Sequence, residues 1–409
     1  MEIRKIHLSE VEEYCKLQYR AYPSMRLGSK ADFDSFIERV KKSFDTNEFS
    51  LYGSFEKEGM VGSMTLYNFQ INYLGEWLPI EGIGSVAVDL LHKREHVCQK
   101  MLAWAEQNMI QQKIPLAFLF PFRPDFYVPM GYGYGPMLYQ YAMDPAFLPH
   151  TGDKSKLCFL TQEHIPLIRD FENRMDSSSH GYFKKQDREL SNFFDRISFQ
   201  KVGFIRDNHL EGWMVFNTQL PDPKNFLRSH LYIYEWWNET SEARMAFLSF
   251  LYSQKDQYEQ IVYNTVDPSL MHVVKDPRSD KQKMIAPFIS HPVGQASTSI
   301  FYSVIDHGEI FKKLVIYKGK DGCEPFDWEI HKTFPVNHTQ KVSWPFKTKM
   351  NQKKPMISTS QSVASSILMG SLHLEEAVRW NIASVTPEKS IKEMDEYLRL
   401  PVPYGNPDC

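Results

Sequence analysis

Residues 89–104 read D-L-L-H-K-R-E-H-V-C-Q-K-M-L-A-W. They follow Ile83-Gly84-Ser85-Val86-Ala87-Val88, a run of small and β-branched residues that reads as a strand, and they lead into a helical pattern. A strand, a basic turn and a helix start make an arrangement that holds anions. The first N–H groups of a helix lack intrahelical partners, and the helix dipole favours negative charge there. Lys93 and Arg94 would add charge-assisted hydrogen bonds to a phosphate. Glycine commonly lets the backbone come close at such turns, and this turn has none. Two readings stay open on these residues alone: a phosphate site, or a solvated basic helix start. Downstream, P-F-R-P-D-F-Y-V-P-M-G-Y-G-Y-G (residues 121–135) sets Phe126 and Tyr127 on a short helical turn before a glycine-rich one. The phenol of Tyr127 is a hydrogen-bond donor at neutral pH. Gly131, Gly133 and Gly135 permit the tight turn.

The elements around these residues can be read from periodicity. Ser9 to Ala21 predicts a helix with Ser9 as N-cap, and Ala31 to Phe44 a second with Phe33, Phe36, Ile37 and Val40 on one side. Phe49–Phe55, Val61–Phe69 and Trp77–Val88 read as an antiparallel meander. Val97, Met101, Ala105 and Met109 recur every four residues, flanked by Cys98 and Leu102, which predicts an amphipathic helix. Leu116 to Phe120 is a short buried strand, parallel to the strand before the helix because a crossover joins them. Leu231–Trp237, Ser241–Gln257 and Ile261–Thr265 repeat the strand–helix–strand order, but their turn, Asn238-Glu239-Thr240, has neither glycine nor a basic residue. A duplicate of the fold without a cofactor is expected there. Further on, His291 to Ser299 reads as a polar loop, Lys313–Tyr317 and Phe326–Ile330 as strands, and Ser362–Leu368 and Glu375–Trp380 as helices. The expected class is α+β, divided as 1–149, 150–284 and 285–409.

Composition narrows the function classes. A net charge of -3 gives no basic field for nucleic acid or an anionic membrane. No apolar run is long enough to span a bilayer, and the amino terminus lacks a secretory apolar core. Five scattered cysteines without a CxxC pair speak against a disulfide framework or zinc site, so no metal is expected and a reducing cytoplasm fits. The 28 Phe, 21 Tyr and 8 Trp can line large cores or aromatic clefts.

V-A-V, a basic turn and helix, a strand and then F-Y-x-x-x-G-Y resemble the acetyl-CoA core of the GNAT N-acetyltransferase superfamily. The three-part chain is similar to the Eis-like (enhanced intracellular survival) branch. That resemblance implies a GNAT domain, a second degenerate GNAT-like domain and a small sterol-carrier-protein-like α+β domain. It covers most of the chain, strongly to residue 145 and weakly from 285 to about 345, where the helix expected after Met284 is not found.

The resemblance implies roles. The pantetheine arm of acetyl-CoA would pair like an added strand with Val86, Ala87 and Val88. The superfamily's Arg/Gln-x-x-Gly-x-Gly/Ala turn falls on Lys93, Arg94, Glu95, His96, Val97 and Cys98, with His96 and Cys98 where small residues are usual. Tyr127 would be the general acid. The base would be the chain's own terminal carboxylate, here Cys409, with Asp408 beside it; the Eis-like tail usually ends in an aromatic residue. Tyr22, Met25 and Phe36 would line the acceptor pocket. The implied activity is acetyl transfer to a primary amine, on an aminoglycoside or polyamine-like molecule or a protein lysine, by a homo-oligomer that is hexameric in relatives. The competing reading is a non-catalytic CoA- or apolar-ligand-binding protein that keeps the fold; a third is an oligomeric scaffold.

Overall fold

The computed structural model describes all residues except 24, 26, 45, 58, 226, 320–324, 345–353 and 406–409. Strands β1 (Glu2–Lys5), β2 (Phe49–Glu56), β3 (Gly59–Tyr73), β4 (Glu76–Val88), β5 (Leu116–Leu119) and β6 (Gly133–Tyr134) come first. Then come β7 (Met137–Met143), β8 (Leu157–Phe159), β9 (Phe199–Arg206), β10 (His209–Gln219), β11 (His230–Asn238), β12 (Gln260–Thr265) and β13 (Gly294–Thr298). The last are β14 (Phe301–Val304), β15 (Phe326–Lys332), β16 (His338–Trp344), β17 (Met356–Ser360) and β18 (Ala383–Thr386). The α-helices are α1 (Val11–Ala21), α2 (Lys30–Lys42), α3 (Val97–Gln112), α4 (Pro124–Tyr127), α5 (Ile165–Asn173) and α6 (Asp187–Asp195), followed by α7 (Ser241–Tyr252), α8 (His307–Lys318), α9 (Gln361–Leu368), α10 (Leu374–Arg379) and α11 (Ile391–Leu398). The class is α+β, as expected.

Two compact units form. The first holds Met1–Pro136, Asp176–Lys184 and Ser299–Cys409; the second holds Met137–Met175 and Lys185–Thr298. In the first unit, one sheet runs β1-β2-β3-β4-β5-β14-β6 and a smaller one β16-β15-β17-β18. The second unit has one sheet, β13-β7-β12-β11-β10-β9-β8.

In the first unit the expected stripe of α3 is its buried face: Met101, Ala105 and Met109 are fully buried and Val97 and Leu102 nearly so. Burying each large side chain contributes about 1.5–3 kcal/mol, which is why the stripe decides the helix orientation. The N-cap of α1 is Glu10, one residue after the expected Ser9; Leu8–Glu10 is a 3-10 turn, and the Glu10 side chain accepts from the His7 N–H. β4 and β5 are parallel, as the crossover requires.

The segment from Phe301 onward completes this unit. β14 lies between β5 and β6, antiparallel to both, with Phe301 opposite Leu119 and Tyr134. The small residues of α9 bring that helix against β6: a Cβ on Gly133 would stand 2.1 Å from the Ser362 carbonyl. Ser365 accepts from Val304 N–H at 3.0 Å, and Ser366 donates to Tyr134 O at 2.9 Å.

Two expected elements differ. Lys313–Tyr317, read as a strand from its Leu-Val-Ile-Tyr run, belongs to α8. Asp306 caps that helix through Glu309 N–H at 2.9 Å, and Ile310, Phe311, Leu314 and Val315 form its buried face. Within His291–Ser299, read as a loop, Gly294–Thr298 pairs with Met137–Tyr141 of β7. It is an exposed edge strand that needs backbone partners rather than apolar side chains.

Candidate active site

The pairing of β4 with β5 covers only Ile80–Gly82 against Leu116–Phe118. β4 then continues to Val88 with β3 alone, so the two parallel strands splay. Asp89 N–H donates to Val61 O at 2.9 Å, and Ala87 stands opposite Ser63. Hydrogen-bonded and non-bonded pairs alternate along an antiparallel ladder. Ala87 therefore turns its main-chain groups to β3, while Val86 and Val88 turn theirs into the splay. The Ala87 methyl packs into the α1–α2 core, and the Val86 and Val88 side chains pack toward α3.

A cleft of about 480 Å³ opens at this splay. Val86, Ala87 and Val88 line one side and Ala21, Tyr22 and Pro23 another, with Lys93 by the turn. Phe122, Arg123, Phe126 and Tyr127 complete the lining. The spacing of residues in the chain assigns no role to Phe122 or Arg123 and leaves Phe126 as packing. The signal for them is the P-F-R-P stretch directly after a buried strand, where an exposed Phe has no core to fill; Phe122 is 87% exposed.

The turn resolves the missing glycines. His96, at the position where glycine is usual, sits at φ 60, ψ 19, and Arg94 at φ 71. Both are in the left-handed region that glycine enters freely and side chains enter at a cost. The backbone thus keeps a glycine-like path with side chains on it. His96 is the N-cap of α3 but its side chain does not cap the helix; its ring meets Gln99 instead. The first intrahelical bond is Lys100 N–H to His96 O at 3.0 Å. The N–H groups ahead of it open the 16-residue helix without a side-chain acceptor at the N-cap. Lys93, Arg94, Glu95 and His96 are exposed. Glu95 is drawn to His92 at 3.0 Å, leaving the Lys93 and Arg94 cations by the helix start. Val97 and Cys98 turn inward. Burial pushes the Cys98 thiol up to about 12, so it stays protonated and poorly reactive.

Tyr127 ends α4 at the cleft. Its ring stands edge-on to Phe126 at 5.1 Å and to Tyr132 at 6.1 Å, which fixes its plane. Burial, and then nearby Cys98 and Tyr22, push its phenol well above the ordinary tyrosine value. The hydroxyl therefore remains a donor throughout the range in which proteins work. Tyr22 is held likewise, pushed up to about 12 chiefly by burial, and donates to Val86 O at 2.9 Å.

The other expected acceptor residues lie elsewhere. Met25 is in the turn after α1, its N–H bonded to Tyr22 O at 3.0 Å, and does not line the cleft. Phe36 packs with Phe33 at 6.5 Å in the α1–α2 core and carries Arg39 over its ring. Turn geometry accounts for the first and core packing for the second. Cys409 and Asp408 lie outside the described residues. The described tail ends at Gly405, where a Cβ would meet the Tyr302 hydroxyl at 2.4 Å, and Tyr302 is opposite Phe118 of β5. One carboxylate was missed: Glu81 on β4 is 3% exposed, its Oε2 has no partner among the described residues, and burial pushes it up to about 7. Burial, and then Glu106, Tyr127 and Glu81, hold the neighbouring Tyr132 phenol well above the ordinary tyrosine value.

The corresponding turn of the second unit is built otherwise. Thr240 caps α7 through Ala243 N–H at 3.2 Å and donates to Glu211 at 2.8 Å. Glu239 N–H donates to Glu211 O at 2.7 Å. β11 and β12 pair through Ile233 and Tyr263, and just beyond, the Trp236 ring lies 5.4 Å from that of Tyr263.

Residues 2–135 match the family described as acetyltransferase (GNAT) domain, and residues 184–289 match a second family of the same description. Comparison with curated protein sequences finds no match. Solved structures share the fold over the whole chain. A GCN5-related N-acetyltransferase from Anabaena variabilis has a TM-score of 0.77 at 11% identity, covering 99% of this chain and 98% of its own. Eis1 from Mycobacterium abscessus has 0.76 at 17%, covering 99% of each. A GCN5-related N-acetyltransferase from Kribbella flavida has 0.73 at 13%, covering 99% and 97%. At these identities the likeness is one of fold, and GNAT acetyltransferases use acetyl-CoA as co-substrate. The chain belongs to the GNAT acetyltransferases, with two such domains in tandem and the fold of the Eis-like proteins.

Proposed function

We propose that the first unit transfers the acetyl group of acetyl-CoA to a primary amine. The carrying observation is the meeting, in one cleft, of the Val86 and Val88 main chain, the uncapped basic helix start and the Tyr127 phenol. The pantetheine arm pairs along Val86 and Val88 as an added strand, with Val86 O shared with the Tyr22 hydroxyl; this refines the V-A-V assignment, since Ala87 is committed to β3. Lys93, Arg94 and the α3 N–H groups take the phosphates. The amine nitrogen attacks the thioester carbonyl and forms a tetrahedral intermediate. The C–S bond then breaks, and the thiolate takes its proton from Tyr127.

The amine must lose a proton as well. The terminal carboxylate of Cys409, or Asp408, is the proposed base; the described tail runs to Gly405 beside β14, next to β5. Glu81 is the second candidate, because it is a buried carboxylate on β4 whose Oε2 has no partner among the described residues. The two differ in pH response. A base with Glu81's proton affinity gains activity as pH rises through about 7, and Glu81→Gln abolishes that limb. A tail base makes truncation at Asn406 most harmful at low pH, where fewer amines are already neutral. The finer acceptor reading, an aminoglycoside, a polyamine or a protein lysine, is tested by a thiol-release assay over such a panel. A non-catalytic CoA-binding protein would bind acetyl-CoA and release thiol with none of them.

Tyr127→Phe is the test of the acid. The ring and its packing stay while the donor is lost. Turnover should fall by roughly 10²–10⁴-fold, the usual scale of acid–base catalysis. Acetyl-CoA affinity should hardly move, because the lost interaction belongs to the transition state. Full activity in this variant would rule out Tyr127 as the acid.

A further inference from the structure

We propose that Gln18 is a positioning residue for the cofactor cleft: from α1 it holds the β4 bulge that turns the Val86 and Val88 main chain into the splay. This rests on the acetyl-CoA reading of the cleft.

The bulge lies between two register points. Ser63 faces Ala87 and Thr65 faces Gly84, so Met64 of β3 is opposed by both Ser85 and Val86. Such an extra residue bends its strand and re-aims the residues after it. Here it comes where β4 leaves β5 and just ahead of the groups that face the gap. Gly84 just before it is a local signal for a bulge, but the left-handed position falls on the next residue. Ser85 stands at φ 49, in the left-handed region, without being glycine. Something else must hold it.

α1 supplies the hold. Tyr14, Gln18 and Tyr22 recur every four residues, so they share one face. Tyr14 meets the Thr65 hydroxyl at 3.1 Å and also reaches the Ser85 side chain. Gln18 Nε2 donates to Ser63 Oγ at 3.0 Å and to Ser85 O at 2.7 Å. Tyr22, just after the helix, donates to Val86 O at 2.9 Å. The two residues that oppose Met64 at the bulge thus have their carbonyls taken by Gln18 and Tyr22. Gln18 itself is 2% exposed and Ser63 fully buried, so water does not substitute readily for this amide. An amide spans both strands at the bulge in a way a methyl or a hydroxyl cannot. A polar residue in the middle of a buried helix face is otherwise costly, and an apolar one would pack as well. Its place is explained by the bulge.

The experiment is a double-mutant cycle read by acetyl-CoA titration calorimetry. Gln18→Met keeps the length and loses both donors. Ser85→Gly gives the bulge a residue that enters the left-handed region freely. Gln18→Met should weaken acetyl-CoA about tenfold, a change of about 1.4 kcal/mol. Ser85→Gly alone should be within about twofold of wild type. In the Gln18→Met background, Ser85→Gly should recover most of the lost affinity, a coupling that independent sites would not show. If Gln18 only supports the fold, melting temperature falls in Gln18→Met but Ser85→Gly restores no affinity, and the proposal is overturned. Unchanged affinity in Gln18→Met overturns it too. Ser63→Ala covers the case in which Gln18→Met does not fold. Losing one of the two partners that hold the Gln18 amide should cost roughly threefold in affinity with melting little changed, and no loss overturns the proposal. Wild-type protein that binds no acetyl-CoA would instead defeat the functional reading on which this rests.

Discussion

The chain contains the same strand–turn–helix unit twice, β4 to α3 and β11 to α7, and the two turns have been finished in opposite ways. At the first, His96 occupies a left-handed N-cap and leaves the helix N–H groups without a side-chain cap, beside Lys93 and Arg94. At the second, Thr240 caps the helix itself, and the Glu211, Glu239 and Glu242 carboxylates around the turn are paired, Glu211 and Glu242 with Arg206 and Glu239 with Arg174. One turn leaves its helix N–H groups uncapped beside the Lys93 and Arg94 cations; the other uses a side-chain cap and pairs its arginines with carboxylates. The first is the better anion site of the two. The same strand–turn–helix core can therefore carry two differently finished helix starts, one open and one capped by its own side chain.

The buried carboxylates on the two strands carry the same contrast. Glu235 on β11 is bound by Lys185 Nζ and by Trp237 Nε1, the latter at 2.8 Å. Glu81 on β4 has an Oε2 without a partner among the described residues. Burial raises it to about 7, above its unfolded value near 4.5. Between those values the folded chain holds a proton the unfolded chain has lost. Stability contributed by the protonated form is therefore lost as pH rises from about 4.5 to 7. Glu81→Gln removes that dependence. It should stabilise the protein by roughly 3 kcal/mol at pH 8 and by much less at pH 5, judged by urea midpoints. An equal change at both pH values would mean that Glu81 titrates normally.

The basic turn should show the next largest effect. Lys93→Ala with Arg94→Ala should weaken acetyl-CoA binding by roughly 1–3 kcal/mol, the scale of hydrogen bonds to charged groups, and flatten its salt dependence. Unchanged affinity at low salt, with the fold intact, would remove the phosphate role and leave a solvated helix start. The smallest effect concerns the cap. His96→Gly relieves a left-handed side chain and should tighten acetyl-CoA or raise stability by up to about 1 kcal/mol. A loss of affinity would show instead that the His96 side chain itself takes part in binding.

How much of the molecule is legible in the sequence depends on the range of each interaction. The α3 stripe and the parallel β4–β5 crossover depend on residues close in the chain, and both are readable. Glycine-like geometry at His96 is not, because residue type argues against it and only the closed turn imposes it. Gly84 hints at a β4 bulge, but its place and the Gln18 clasp depend on register between α1, β3 and β4, which no local pattern encodes. α8 reads as a strand because Lys313–Tyr317 has strand-like side chains, while the helix is set by the Asp306 cap upstream. Tyr22 and Phe36 are both plausible cleft aromatics by position. Tyr22 follows the last turn of α1 and reaches β4, whereas Phe36 faces the core that α1 and α2 share. Cys409 has a resemblance behind it but lies outside the described residues.

The most direct measurement is titration calorimetry of acetyl-CoA against the full chain. One site per chain is expected, filled at the first turn and lost or strongly weakened in the Lys93→Ala, Arg94→Ala protein. Two sites per chain, or one site indifferent to those substitutions, would contradict the division of the two units into a binding copy and a closed one.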